Sequence, residues 1–311
     1  MRKSPGGLQG LPKLLHTPIV FVCSMIIFIA LLFVFPRTGF IAEGPGSTIL
    51  TITTFLFGII AGFYIYITST DYIHVKNLIA TETSGWASLF RSVTLYHPSA
   101  AAALAEVIDT YVRRTFDYEI IDYPKHTIAE YDAASAVIQA LPFKKEVSSI
   151  HQVIMGELDG IALARQQLLV LGAKSLSVFS WAVLFALAGL VVASLYGLRT
   201  GALFFDIVTV LIASAVILIF LLIRDLDLYI WNERSFGFEA EASLFCAIGK
   251  LPYYPEESIA RRRVHPKDPE YRVGIFTDFP RTLVRRIEIR RADGQPVISR
   301  TTRARAKRSP H

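Results

Sequence analysis

Four apolar runs almost free of charge narrow what this chain can fold into: Pro18 to Phe35, Ile49 to Thr68, Leu176 to Tyr196 and Ala202 to Ile223. Each is close to the ~20 residues a helix needs to cross ~30 Å of hydrocarbon. The only formal charge inside them is Asp206, one turn into the fourth run. A charge at the centre of a spanning helix costs ~2.5–3.5 kcal/mol, so segments that cross lipid are this clean. Four buried helices of a soluble α protein would carry a polar stripe at helical period, whereas every face of these runs is apolar. The chain reads as an integral membrane protein.

Arg2, Lys3 and Lys13 precede the first run, as they would precede a secretion signal. Its apolar core is longer than such a signal uses, and the FPRTGFIAEG stretch after it offers no small-x-small cleavage site, so it is read as a retained span. Basic residues set the orientation. Arg2, Lys3 and Lys13 flank the start, Lys76 and Arg91 follow the second span, Arg165 and Lys174 precede the third, and Arg224 and Arg234 follow the fourth. The two short hairpin loops hold only Arg37 and Arg199. The positive-inside rule then places N-terminus, middle segment and C-terminus in the cytoplasm, for a multi-pass protein of the plasma (inner) membrane.

The formal charge of +6 is concentrated beyond residue 260, in Arg261, Arg262 and Arg263, in paired arginines, and in a tail containing Arg303, Arg305, Lys307 and Arg308. Beside a membrane anchor the nearest polyanion is the inner leaflet, worth ~1 kcal/mol per basic residue at its surface. Anionic lipid is therefore the expected partner of these residues, and nucleic acid is not. Cys23 and Cys246 fall in different environments and imply neither a disulfide nor a metal site.

Along the chain, residues 1–16 form a cytoplasmic N-terminus, 17–68 a first transmembrane hairpin, 69–174 a cytoplasmic helical bundle and 175–224 a second hairpin. Residues 225–301 form a cytoplasmic C-terminal extension with a short β element, and 302–311 a basic disordered tail. No breaker interrupts helical character from the second span to about Tyr96, so that span continues into the cytoplasm as one helix. Pro98 suits the first turn of the next helix, Ala100 to about Tyr118. Pro124 and Pro142 bracket a third, His126 to Leu141, and a last helix runs from about Glu146 into the third span. The fold class is thus an all-α membrane protein, with four transmembrane helices in two hairpins and a helical insert continuing spans 2 and 3. A small C-terminal α/β extension follows: a helix from Glu239 to Ile248 stopped by Gly249, then strands at Tyr271 to Thr277, Val284 to Arg290 and Pro296 to Ser299, the last two joined across Ala-Asp-Gly.

Enzyme templates fail. The chain has no Gly-x-Ser-x-Gly, no Gly-x-Gly-x-x-Gly after a strand, no phosphate loop, no His-Glu-x-x-His and no paired cysteine ligands. His74, His97, His126 and His151 form no ligand pair on one helix face. Glu82, Glu106, Glu119 and Glu157 could gather as a carboxylate cluster, but carboxylates on helix surfaces more often pair with nearby bases. Neither catalysis, a cofactor nor a metal is expected.

The second span is more informative. Phe55, Ile59 and Phe63 stand at i, i+4 and i+8, one stripe down a helix. Copies of that helix around an axis would stack the stripe into apolar rings, and an apolar constriction gates ions by dewetting. Gly58 and Gly62 lie four apart on a neighbouring face, the small-xxx-small pattern of close helix packing. A lipid-facing or merely packed span can carry the same spacing.

The string Phe55-Leu-Phe-Gly-Ile-Ile-Ala-Gly-Phe-Tyr-Ile resembles the neck helix of bestrophins, where Gly-Phe-Tyr follows apolar residues that narrow an anion pore. The whole layout is similar to the bestrophin-like domain family. The resemblance runs from about Thr53 to Phe238 and includes Tyr72, Glu82, Tyr111-Val112, Arg165 and Arg224-Asp225-Leu226-Asp227. Leu251-Pro-Tyr-Tyr-Pro and Tyr271-Arg-Val-Gly look like the C-terminal extension of a subset of that family. The resemblance implies a homo-oligomer, a pentamer by analogy, with chloride-type anions passing a neck of Phe55, Ile59 and Phe63. Where bestrophins carry an Arg-Trp pair after the neck helix, this chain has Thr70-Asp71-Tyr72. The acidic run of their calcium clasp has no counterpart, so no calcium site is expected. A rival function remains: a non-conducting membrane scaffold or sensor whose bundle and basic tail bind a partner or anionic lipid.

Overall fold

The computed structural model describes residues 13–35, 43–118, 120–142, 148–229, 238–260, 264–275, 286–291 and 294. Its helices are α1 (Lys13–Val34), α2 (Glu43–Tyr96), α3 (Pro98–Thr115), α4 (Tyr123–His126), α5 (Ile128–Gln139), α6 (Ser148–Ala173), α7 (Val178–Gly197), α8 (Leu203–Asp227), α9 (Glu239–Ala247) and α10 (Glu256–Ala260). Its strands are β1 (Tyr253–Pro255), β2 (Glu270–Ile275) and β3 (Arg286–Arg291). The chain divides into two compact units, residues 1–72 with 175–231, and residues 73–174 with 232–311.

The first unit holds the apolar helices. Among the described residues three helices, α2, α7 and α8, are long and apolar enough to cross a membrane, and α1 adds a shorter apolar stretch, Pro18–Val34. Phe57 and Ala61 of α2 pack with Leu184, Ala188 and Val191 of α7 and with Val216, Phe220 and Ile223 of α8. A second cluster sets Phe28 of α1 against Tyr196, Val210 and Ala213, where the Tyr196 hydroxyl donates to the Phe28 carbonyl at 2.6 Å. Asp206, which the sequence leaves as a solitary charge in an apolar run, is held by both arms of the Arg199 guanidinium at 2.9 Å. The same guanidinium donates to the carbonyls of Leu32 at 2.8 Å and Phe35 at 3.2 Å. An apolar surrounding offers these end carbonyls of α1 no water, so a side-chain donor takes its place.

The second unit is a helical bundle with a three-stranded sheet. Trp86, Leu89 and Val93 of α2 share one core with Leu104, Ile108 and Tyr111 of α3, Ala134 and Ile138 of α5, and Ile154, Leu158 and Ile161 of α6. Leu244, Phe245, Ile248 and Tyr253 belong to that core as well. The C-terminal extension therefore completes the bundle and is not an appendage to it. Arg272 of β2 ties it further, pairing with Asp109 of α3 at 2.6 and 3.1 Å and donating to the Leu251 carbonyl at 2.8 Å. The sheet order is β1-β2-β3, with β1 and β2 parallel and β2 and β3 antiparallel. Gly274 of β2 lies so close to the Tyr253 ring that an added Cβ would fall 1.9 Å from its hydroxyl oxygen.

The expected single helix from the second span through Tyr96 is α2, and Pro98 opens α3 at its first position. Other expectations need correction. The third bundle helix does not begin at His126. Thr127, at φ −110° and ψ 25°, separates the one-turn α4 from α5, which starts at Ile128. The last bundle helix does not continue into the third span either: α6 ends at Ala173 and α7 begins at Val178. Ser177 caps α7 by accepting from the Ser180 amide at 3.0 Å, and Asp227 accepts from the Leu176 amide at 2.9 Å. Side chains satisfy backbone groups that a continuous helix would have satisfied itself. The α9 helix ends as expected, with Gly249 at φ +71° and bonds from Gly249 to Cys246 and from Lys250 to Phe245, the Schellman pattern. β3 pairs with β2, whereas the strand expected at Pro296 to Ser299 lies outside the described residues.

Candidate functional site

The residues of α2 in the first unit are ordered by a simple division. Thr53 and Thr68 would be polar liabilities in an apolar setting, but their hydroxyls donate back to the carbonyls of Ile49 and Tyr64, each at 2.8 Å. One face is then buried: Phe57 is 4% exposed and Ala61 2%. The opposite face is open, with Phe55 66%, Ile59 54% and Phe63 60% exposed. At about 100° per residue, positions 55 and 59 each lie ~200° from position 57, so the stripe points away from the helices that pack on α2. Ile52 and Tyr66 are exposed as well. The stripe named from sequence is thus an apolar face with no partner among the described residues of this chain.

Gly58 and Gly62 are open too. A Cβ built on either meets nothing within 4 Å, so no helix among the described residues closes on the small-xxx-small pair. Arg261, Arg262, Arg263, Arg303, Arg305, Lys307 and Arg308 lie outside the described residues.

In the second unit α2 presents a different surface. Lys76, Asn77, Thr81, Ser84 and Arg91 are exposed. The one carboxylate on α2 beyond residue 72, Glu82, is 3% exposed and turned into the bundle. It occupies a buried row with Val75, Leu78, Trp86, Leu89 and Val93, an apolar row at helical spacing. A carboxylate there needs compensation. Tyr111 of α3 donates to Oε1 of Glu82 and Tyr123 of α4 to Oε2. Arg165 of α6 lies 3.6 Å from Oε1. Its guanidinium also donates to the Tyr111 hydroxyl, to Oγ1 of Thr127 at 3.2 Å and to the Pro124 carbonyl at 2.9 Å. The Tyr131 ring of α5 stacks under it, centroid 4.7 Å away.

Burial pushes the Glu82 carboxyl above its ordinary range, against the opposing pull of Arg165 and the two tyrosine hydroxyls. Burial and then the Glu82 charge push both tyrosines well above theirs, so they stay protonated as donors. Five helices thus meet at one ionic cluster. Sequence reading named Tyr111 only as a point of resemblance, Glu82 also as one of four bundle glutamates, and Arg165 also as a base before the third span, without joining them. It missed Tyr123, Thr127 and Tyr131, which carry no periodic signal, although a glutamate on an apolar row was a legible sign that a cation lay opposite. The three described bundle glutamates have separate partners: Glu82 has those above, Glu106 pairs with Lys250 and Glu157 accepts from Ser88 at 2.9 Å; Glu119 lies outside the described residues.

A membrane protein is defined by these features, one whose longest helix carries an open apolar face in one unit and anchors an ionic cluster in the other. The model of the Bestrophin-like domain matches residues 19–228, and the chain belongs to that family. Two crystal structures of a bacterial bestrophin homolog from Klebsiella pneumoniae share the fold. A variant form has a TM-score of 0.57 at 14% identity, and a form phased on zinc has 0.56 at 14%; each match covers 77% of this chain and 100% of that chain. A further structure, described as a membrane protein, aligns at TM-score 0.57 and 14% identity over 76% of this chain and 99% of its own. No curated protein matches.

Proposed function

We propose that several copies of this chain ring an axis in the plasma membrane and pass anions along it, with Phe55, Ile59 and Phe63 as the narrow apolar neck. The observation that carries this reading is the open stripe itself. Three large apolar side chains at i, i+4 and i+8 face away from every helix that packs on α2, which is the arrangement that stacked rings require. Gly58 and Gly62, open beside the stripe, suit close approach of a neighbouring α2. An anion as the permeant ion rests on the family resemblance, because the charges of α2 past the neck are mixed: Asp71 is half-buried, and Lys76 and Arg91 are exposed. On this reading unit 2 and both termini are cytoplasmic.

The test is chloride flux from liposomes holding purified protein, with the particle mass measured in detergent. A multimeric particle should conduct, and Phe63→Ala, by widening the neck, should raise flux severalfold. A monomeric particle, or a folded multimer with no flux, overturns the reading.

A further inference from the structure

One buried acid is used neither by the apolar stripe nor by the bundle's hydrogen bonds. Glu241 is the third residue of α9, in the extension beyond the residue 228 at which the family match stops. The residue keeps part of its surface open, but its carboxylate Oε2 is buried and has no hydrogen-bond partner among the described residues. Leu244 and Phe245, three and four residues further along and so on the same face of α9, share one buried core with Trp86 of α2. Trp86, one turn along α2 from Glu82, is fully buried, and its indole Nε1 is likewise unpaired. Two carboxylates in one dry interior cannot both ionise cheaply when Arg165 is the one cation paired with the cluster among the described residues.

We propose that Glu241 is a proton site, by which the C-terminal extension senses pH at the Glu82 cluster and so biases α2, the helix that bears the open apolar stripe. The charged and titratable groups of the cluster are Glu82 on α2, Tyr111 on α3, Tyr123 on α4, Tyr131 on α5 and Arg165 on α6. Tyr111 and Tyr123 stay neutral, and Arg165 is committed to Glu82, Tyr111, Thr127 and Pro124. Glu82 is held as a carboxylate by Arg165 and by two hydroxyl donors, whereas the Glu241 carboxylate has an oxygen with no donor, so Glu241 is the acid left to respond, by taking up one proton at that oxygen and losing its negative charge. Burial first, and the Glu82 charge in addition, push its carboxyl up to about 7, against a hydrogen bond from its own backbone amide. Such a value puts the change of charge inside the physiological range. The proton site stands without the channel reading; only its consequence for flux rests on that reading.

The experiment uses the full chain in detergent or lipid, with Trp181→Phe and Trp231→Phe so that Trp86 is the one indole, and with circular dichroism to verify folding at each pH. Infrared absorption of the protonated carboxyl and Trp86 emission are followed from pH 5 to 9. The expected result is a carboxyl band growing as pH falls through about 7, accompanied by a shift in Trp86 emission with the same midpoint. Both should vanish in Glu241→Gln and persist in Asp132→Asn, which changes an exposed carboxylate. A folded chain with no such band, a band that survives Glu241→Gln, or a band with no matching emission shift overturns the proposal. Neither readout depends on conduction. If flux is absent while both signals titrate, the channel reading fails and the proton site remains; if flux is present, its pH profile should flatten in Glu241→Gln.

Discussion

Arg165 sits 3.6 Å from the Glu82 carboxylate and sends its hydrogen bonds to Tyr111, Pro124 and Thr127, so one guanidinium fastens α2 to α3, α4 and the corner before α5. Both side chains are nearly inaccessible to water. Removing one partner of such a pair leaves an uncompensated charge, typically at 3–5 kcal/mol, whereas replacing both with apolar residues of similar volume is often close to neutral. Arg165→Met should therefore lower the thermal midpoint far more than the double change Arg165→Met with Glu82→Leu. Unfolding of the three proteins in the same detergent checks this; equal losses in single and double variants would show that the pair is not coupled.

The pH dependence of stability follows from Glu241, whose carboxyl is raised from 4.5 to about 7 on folding. Below 4.5 both folded and unfolded chains hold the proton. Between 4.5 and about 7 the folded chain binds it and the unfolded chain does not, so stability falls as pH rises through this window, by up to about 3 kcal/mol. Above about 7 the folded state carries the full penalty of a buried charge. Glu241→Gln should match the wild type near pH 4.5 and be the more stable protein at pH 8. Denaturation midpoints at a series of pH values measure this, and a wild type that gains on the variant as pH rises would reverse the sign.

What was legible in the sequence was whatever depends on runs and on missing breakers. The apolar segments announce themselves by composition, and α2 reads as one helix because nothing between Thr53 and Tyr96 stops it. The stripe at Phe55, Ile59 and Phe63 was also legible, since period alone puts those residues on one face. The break between α6 and α7 was not: it depends on Ser177 and on Asp227, fifty-one residues away from the amide it accepts. Arg199 and Asp206 looked like a loop base and a stray acid until the α7 to α8 turn brought them together. The Glu82 cluster was half visible, because an acid on an apolar row demands a partner but does not say that Arg165, Tyr111 and Tyr123 will converge on it.

Arg199 offers a sharper test in the first unit. Its guanidinium grips both carboxylate oxygens of Asp206 and covers two carbonyls at the end of α1. A lysine has the charge but not the planar fork, so it cannot reproduce that set of bonds. Arg199→Lys should lose much of the stability that Arg199→Leu loses, on the order of 3 kcal/mol, with reduced yield of folded protein from membranes. Thermal unfolding and recovery after detergent extraction measure both; a lysine variant indistinguishable from wild type would mean that charge alone suffices.

Two glycines on α2 should behave in opposite ways. A Cβ at Gly85 would lie 2.8 Å from Cγ1 of Ile161, inside a packed core, where an added methyl typically costs 1–3 kcal/mol. Gly85→Ala should therefore destabilise the protomer, and Ile161→Ala in the same chain should relieve the clash, though not the loss of the isoleucine's own contacts. Gly62 has open space around it, so even Gly62→Leu should leave the folding of a single protomer within about 0.5 kcal/mol of wild type. If copies of α2 approach one another along that face, the leucine blocks the approach. Thermal stability would then stay constant while the particle mass in detergent drops. A Gly62→Leu protein with unchanged stability and unchanged mass would remove Gly62 from any contact between copies, whatever becomes of Phe63.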